Sequence, residues 1–312
     1  MMNLIKKVSL LFVVVGCLFG FARRQIVTEN LEEKAQHSFF IAGPDFTGII
    51  GEDGKEVWNA GKAAARDGFV LQNGHILICW ADEVLEFDQN KKVVFTFKRD
   101  SEGKELGTAV RLRNGNTLIT ESGKNPCLLE VDGSGGIIKK IPLLPETDNV
   151  HMQTRMARKL ENGHYIVPHL LAFAVKEYDT EGKVVKTFKT DTEELGGIKA
   201  ENWPFTAIVL GNGNTLVSLT HGNKVVEFDP KGNIVWKISN DDFAEKPFQD
   251  PCGIQRLPNG NTVIASYGAQ KGIKIFEVTR DKKIVWTYMG HRAHELQILT
   301  TNGKPLTGKL LK

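Results

Sequence analysis

An Asn-Gly pair set between two apolar stretches recurs at Asn73, Asn114, Asn162, Asn212 and Asn259, at spacings of 41, 48, 50 and 47 residues. The flanks read "GFVLQNGHILIC", "AVRLRNGNTLIT", "ARKLENGHYIVP", "AIVLGNGNTLVS" and "GIQRLPNGNTVIAS". Asn-Gly is the strongest short-range hairpin signal, because a type I′ turn needs positive φ at both central positions. A second phrase follows each Asn by 13 to 18 residues: "VLEFDQNKKVVFTF", "VKEYDTEGKVVKTF", "VVEFDPKGNIVWKI", "FEVTRDKKIVWTY". Asp229-Pro230-Lys231-Gly232 suits a type I turn, with Asp first, Pro second and Gly last. Each unit therefore holds two hairpins and four strands, A to D.

Strands this apolar on both faces must be covered on both sides. Four-stranded sheets stacked radially about an axis do so, and units of this length repeating in this way mark a β-propeller. Complete units run at about 66–98, 107–143, 154–189, 205–238 and 252–288. The N-terminal "HSFFIAGPDFTGIIGEDGKEVW" carries only the late-unit signature, at Asp53-Gly54 and Trp58. The C-terminal "HELQILTTNGKPLTGKLL" carries only the early one, at Asn302-Gly303. One blade built from both ends closes the ring and removes its open edges. The expected fold is all-β: a six-bladed propeller of four-stranded antiparallel blades over residues 36–312. No window shows capped 3.6-residue periodicity.

The 312 residues are 41% hydrophobic and 25% charged, as in a soluble globular chain. A formal net charge of +3 and the lack of a long basic run argue against nucleic acid as partner. Residues 1–22 read as a signal peptide, with Lys6 and Lys7 ahead of an apolar run from Val8 to Ala22. Two ends compete: cleavage after Ala22, or a lipobox ending before a lipidated Cys17. Residues 23–35 are then a linker. The expected location is outside the cytoplasm: periplasmic, secreted, or a cell-surface lipoprotein touching the membrane only through its lipid. Cys79, Cys127 and Cys252 match no metal spacing and read as buried apolar residues.

The unit resembles bacterial PQQ-like and arylsulfotransferase-like propeller repeats, whose "D-x-x-G-x-x-x-W" and "L-P-N-G-N-T-L" phrases are matched by Asp229–Trp236 and Leu257–Val263. More closely, the chain resembles a family of exported bacterial six-bladed propellers of largely unassigned function. The shared phrases are "DGFVLQNG" (67–74), "HMQTRMARKLENGHY" (151–165), "CGIQRLPNGNT" (252–262) and "FEVTRDKKIVW" (276–286). These motifs specify the fold and say little of function. Quinoproteins that use PQQ have eight such blades and a calcium site, so the cofactor does not carry over. No cofactor is expected, and a divalent metal is left open. The sulfotransferase resemblance implies a channel histidine, a place His151 or His294 could fill.

If both turns lie on one face, the variable B–C loops and D–A connections lie on the other, where binding is usually placed. The starts of the innermost strands open there beside the channel. They offer Arg66, Asp67, Thr108, His151, Gln153, Arg155, Trp203, Thr206, Cys252, Gln255, His294, Glu295 and Gln297. The B-strand ends add Trp80, Asp82, Glu121, His169, His221 and Tyr267. His151, Gln153 and Arg155 should share one face of a strand, and an arginine aimed into a channel usually meets an anion. His75 and His164, beside the turns, read as structural, and Trp58, Trp236, Trp286 and Phe95 as inter-blade packing. No phosphate loop, metalloprotease or nucleophile-elbow motif is present.

The leading expectation is a small carbohydrate-like or anionic ligand at the channel mouth, with Arg66, Asp67, Gln153, Trp203, Gln255, Glu295, His169 and His221 among its contacts. The alternatives are a channel-mouth enzyme (a metal- or His-assisted lyase, hydrolase or sulfotransferase-like protein) using His151, Arg155 and His294, and a protein-interaction scaffold with a partner on the loop face; the expected state under each is a monomer.

Overall fold

The computed structural model describes residues 35–312, so the signal peptide, Cys17 and nearly all of the linker lie outside the described residues. Six antiparallel sheets form the ring. Blade 1 comprises Asp67–Val70, Ile76–Cys79, Glu83–Phe87 and Val93–Lys98. Blades 2 to 5 begin on the inner strands Glu105–Arg111, Arg158–Lys159, Pro204–Val209 and Pro251–Arg256. The closing blade takes its inner strand, Glu295–Thr301, from the C-terminal part and its other three, His37–Ala42, Thr47–Ile50 and Glu56–Asn59, from the N-terminal part. After Asn302-Gly303 the chain does not supply a second ring strand: Lys304–Pro305 pairs on the other edge of Glu295–Thr301, and the tail turns inward.

The turns differ from the sequence expectation. Of the asparagines in the Asn-Gly pairs only Asn302 has positive φ, at 49° beside Gly303 at 73°, so only that Asn-Gly hairpin has the type I′ form. At Asn73 the loop is one residue longer. Gly74 N donates to Leu71 O at 2.9 Å, Leu71 N to His75 O at 2.8 Å, and Gly74 alone has φ at 79°. That is a type I turn closed by a left-handed glycine. The Asn73 side chain stabilises it by accepting from His75 N at 3.0 Å. The Asp229 turn has the same form: Gly232 N donates to Asp229 O at 3.0 Å with Gly232 at φ 93°.

Each blade boundary is an apolar sandwich. Trp286 stands edge-on to Phe39, Trp58 to Phe87, and Trp236 lies under Arg256 and Arg280 of the next blade. One charged feature also repeats there and was not singled out in the sequence. Strand C carries Glu86, Glu130, Glu177, Glu227 and Glu277, just before the second turn. Four of them reach the next blade: Glu86 to Arg111, Glu130 to Lys159, Glu227 to Arg256 and Arg280, and Glu277 to His37 at 2.7 Å. His75 and His164 bind Glu86 and Glu177 at 2.7 Å within their own blades. Against the cost of burial, Asn214 and the arginines hold the Glu227 carboxyl below its ordinary value. Glu227→Ala strands the partly buried Arg256 guanidinium and frees the half-exposed Arg280, and should cost about 2–3 kcal/mol by urea unfolding at pH 7, against about 0.5 or less for exposed Glu161→Ala.

Candidate functional site

Arg66, Arg155, Phe205 and Cys252 each stand seven residues before the Asn of their own turn, so regular blades deliver them to one layer of the channel. His294 joins them in the closing blade. Its N–H donates to Ala42 O at 2.8 Å, as that of Arg66 does to Cys79 O at 2.8 Å. These inner-strand starts form the channel mouth on the loop face.

The mouth is electrically uneven. Arg66 Nη2 and His151 Nδ1 meet the same Glu105 oxygen, at 2.7 and 3.1 Å. The His151 hydrogen bond and the Arg66 charge hold Glu105 down at about 2. Arg155 is buried, 4% exposed, and donates only to backbone carbonyls, Thr154 O at 2.8 Å and His151 O. No carboxylate among the described residues pairs with it, and burial with the Arg66 charge lowers it to about 10. Phe205 lies beside the guanidinium, 6.0 Å away. The His294 ring stacks on Tyr267 at 4.2 Å and runs parallel to Phe205 at 6.3 Å. Its Nδ1 bonds Ala65 O at 3.0 Å. Burial, helped by the charges of Arg155, Arg66 and His151, brings it down to about 4, so the ring is neutral at pH 7.

Below the mouth the channel is filled. Arg158 Nη1 donates to Asp67 Oδ2 at 3.1 Å and Thr108 Oγ1 at 2.8 Å, Nη2 to Glu295 Oε2 at 3.3 Å, and Nε to Lys312 O at 2.9 Å. One guanidinium thereby joins blades 1, 2, 3 and the closing blade to the tail. The Lys312 ammonium, also buried, donates to Gly68 O at 2.6 Å and lies 3.8 Å from the Phe69 ring centre. Asp67 and Glu295 are therefore committed to this cluster.

His151, Arg155 and His294 do come together, but not on one strand face. Val150–Met152 is a single 3-10 turn, and regular pairing in that blade begins only at Arg158. Gln153 lies in this irregular stretch, its amide accepting from Gly123 N at 2.8 Å and donating to Gly123 O at 2.9 Å and Thr147 O at 3.1 Å. It is pinned to the neighbouring loop instead of facing the channel. Gln255 accepts from Ile298 N at 2.7 Å, and Gln297 brackets Val70, so both lock adjacent inner strands. His169 is buried on the Tyr178 hydroxyl at 2.8 Å. Trp203 and His221 stack at 4.6 Å, with His221 held by Glu201 at 3.1 Å and Asp250 at 3.4 Å. Trp80 donates to Ala63 O at 2.8 Å, Asp82 pairs with Lys62 at 3.2 Å and Glu121 with Lys104 at 2.8 Å. Thr206 is buried.

Glu105, Phe205, Arg158 and Lys312 were missed in the sequence. Position could have found Phe205, which occupies the repeat place of Arg66 and Arg155. A separate groove of about 580 Å³ on the turn face, lined by Asn214, Arg256, Asn261 and Arg280 among others, holds a Glu227 already saturated by its neighbours. No group of three His, Cys, Asp or Glu side chains among the described residues is placed to hold a metal ion.

A family model described as Mal s 1 allergenic protein-like matches residues 18–246. No curated protein matches the chain. Among solved structures, a protein of unknown function from Bacteroides caccae is similar at TM-score 0.73 and 20% identity, covering 84% of this chain and 98% of that one. A streptogramin B lyase is similar at TM-score 0.54 and 15% identity, covering 72% of this chain and 68% of that one. A catalytically inactive virginiamycin B lyase from Staphylococcus aureus, with quinupristin, follows at TM-score 0.54 and 14% identity, covering 74% of this chain and 71% of that one. At these identities the likeness is one of fold.

Proposed function

Because this chain belongs to the Mal s 1 allergenic protein-like family, whose model describes most of its propeller and carries no chemistry with it, we propose from the mouth alone that it binds a small anionic ligand there. A carbohydrate-like acid is the favoured class. The observation that carries the reading is Arg155: a buried guanidinium without a carboxylate among the described residues, beside Arg66, His151 and a neutral His294. A buried cation without a counter-charge is costly, and a bound anion would supply that charge. Two bonds to carbonyls leave most of its five N–H groups free for a carboxylate. The test is a thermal-shift and calorimetric screen of small carboxylates and sugar acids. Arg155→Met should weaken the best ligand about tenfold or more, the worth of a charged hydrogen bond. A ligand shift that survives this substitution removes the site from consideration.

A second reading, a channel-mouth enzyme, is favoured by the open imidazole nitrogen of His294 beside the two arginines. Two of the similar folds are lyases, which transfers no reaction to this chain. Recovery of a bound acid chemically unchanged, read by NMR after long incubation, would set this reading aside. Export is part of the proposal and rests on Lys6, Lys7 and the apolar run Val8 to Ala22. Mass spectrometry of the mature chain separates a lipidated Cys17 from a start at Arg23.

A further inference from the structure

We infer that His294 is the residue that sets specificity at this mouth, by accepting a hydrogen bond from a hydroxyl of the ligand, so that the mouth selects hydroxy acids over plain carboxylates. The inference rests on the anion reading above and names its ligand class.

The geometry fixes the tautomer. The atom opposite His294 Nδ1 is a backbone carbonyl oxygen, Ala65 O at 3.0 Å, which can only accept. Nδ1 therefore carries the ring hydrogen, and Nε2 presents a lone pair. Nε2 has no partner among the described residues and is not among their buried unsatisfied atoms, so it is not sealed off from solvent by them. The ring cannot turn away to find a partner. Tyr267 stacks against it at 4.2 Å and Phe205 lies parallel at 6.3 Å. Tyr267 is itself backed by Arg292, which is tied to Asp45 at 3.1 Å.

The mouth thus offers two kinds of partner within one wall. Arg155 and Arg66 offer N–H donors and positive charge. His294 Nε2 offers an acceptor without charge. A simple carboxylate satisfies the first and leaves the second facing an apolar part of the ligand. An amino acid brings a donor, but its ammonium would sit beside the Arg155 guanidinium, which has no carboxylate among the described residues to offset it, and be repelled. A hydroxyl brings a donor without charge. A site built to bond a hydroxyl discriminates against the analogue that lacks it, because its own polar group is left unpaired.

The test is ligand-observed NMR titration of the full chain at fixed pH and ionic strength. The panel pairs lactate with propionate and L-alanine, 3-hydroxybutyrate with butyrate, and gluconate with hexanoate. At least one hydroxy acid should bind about tenfold tighter than its deoxy partner, the worth of one hydrogen bond. In His294→Phe that preference should fall to about twofold or less. A second readout is the ¹⁵N shift of His294 Nε2 in the unaltered chain, which should move with the hydroxy acid and not with the deoxy acid. If carboxylates bind, Arg155→Met weakens them, and no hydroxy acid is preferred, the role of His294 is overturned while the anion site stands. Preference retained in His294→Phe, or an Nε2 shift that ignores the hydroxyl, overturns it equally. If no carboxylate binds and Arg155→Met changes nothing, the anion reading itself has failed.

Discussion

Arg158→Ala should destabilise the propeller by about 3–5 kcal/mol, the cost of breaking a buried ion network by removing one member. The size follows from what the side chain holds. Its guanidinium contacts Asp67, Thr108, Glu295 and the Lys312 carbonyl, which come from three other blades and the tail. Without it, two buried carboxylates keep only the Lys312 ammonium as counter-charge, and Lys312 stands 3.9 Å from the nearer Asp67 oxygen. Burial already pushes Glu295 up to about 7 against the pull of Lys312 and Arg158. Urea unfolding at pH 7 measures the loss, with exposed Arg113→Ala as the control expected to stay within about 0.5 kcal/mol. A loss below about 1 kcal/mol would show that the ring closes by its sheets alone and that the cluster merely fills space.

The propeller was legible because its instructions are local and repeated. Each turn phrase states a hairpin, and a ring is what five complete units and two complementary halves can close into. The turn type was not legible. The Asn-Gly pair announces a left-handed glycine, but whether the loop holds two residues or three depends on where strand pairing stops. At Asn302 it holds two, at Asn73 three. The mouth was legible where it follows the repeat: Arg66, Arg155 and His294 are inner-strand starts, and they converge. It was illegible where a side chain finds a closer partner than the channel. Gln153 serves Gly123 and Thr147, Gln255 serves Ile298, and His169 serves Tyr178. The channel cluster was hidden for a different reason. Arg158 gains its meaning only from a tail that runs inward, and no pattern in "KPLTGKLLK" states a direction.

Acid should unfold the protein through its histidines before its surface carboxylates matter. Burial, with the Lys176 charge, lowers His169 from 6.5 to about 3, and burial lowers His294 from 6.5 to about 4. A base lowered on folding contributes stability that is whole above its unfolded value and is lost as pH falls toward its folded one. By pH 4 each should have removed about 3 kcal/mol. Glu295 works in the opposite sense. Its folded value of about 7 lies above the ordinary 4.5, so its penalty is present at neutral pH and relieved as pH falls from 7 to 4.5. That relief offsets one histidine, leaving a net loss of about 3 kcal/mol between pH 6.5 and 4. Glu105, held at about 2, adds its own loss only below 4.5. Urea midpoints taken at half-unit steps of pH separate these contributions. His169→Gln keeps a neutral partner for Tyr178 and should nearly flatten the curve between 6.5 and 4. Glu295→Gln removes the offset and should roughly double the slope over the same range. The two substitutions change slope in opposite directions whatever they do to absolute stability, so a pair of parallel curves would refute the assignment of either group.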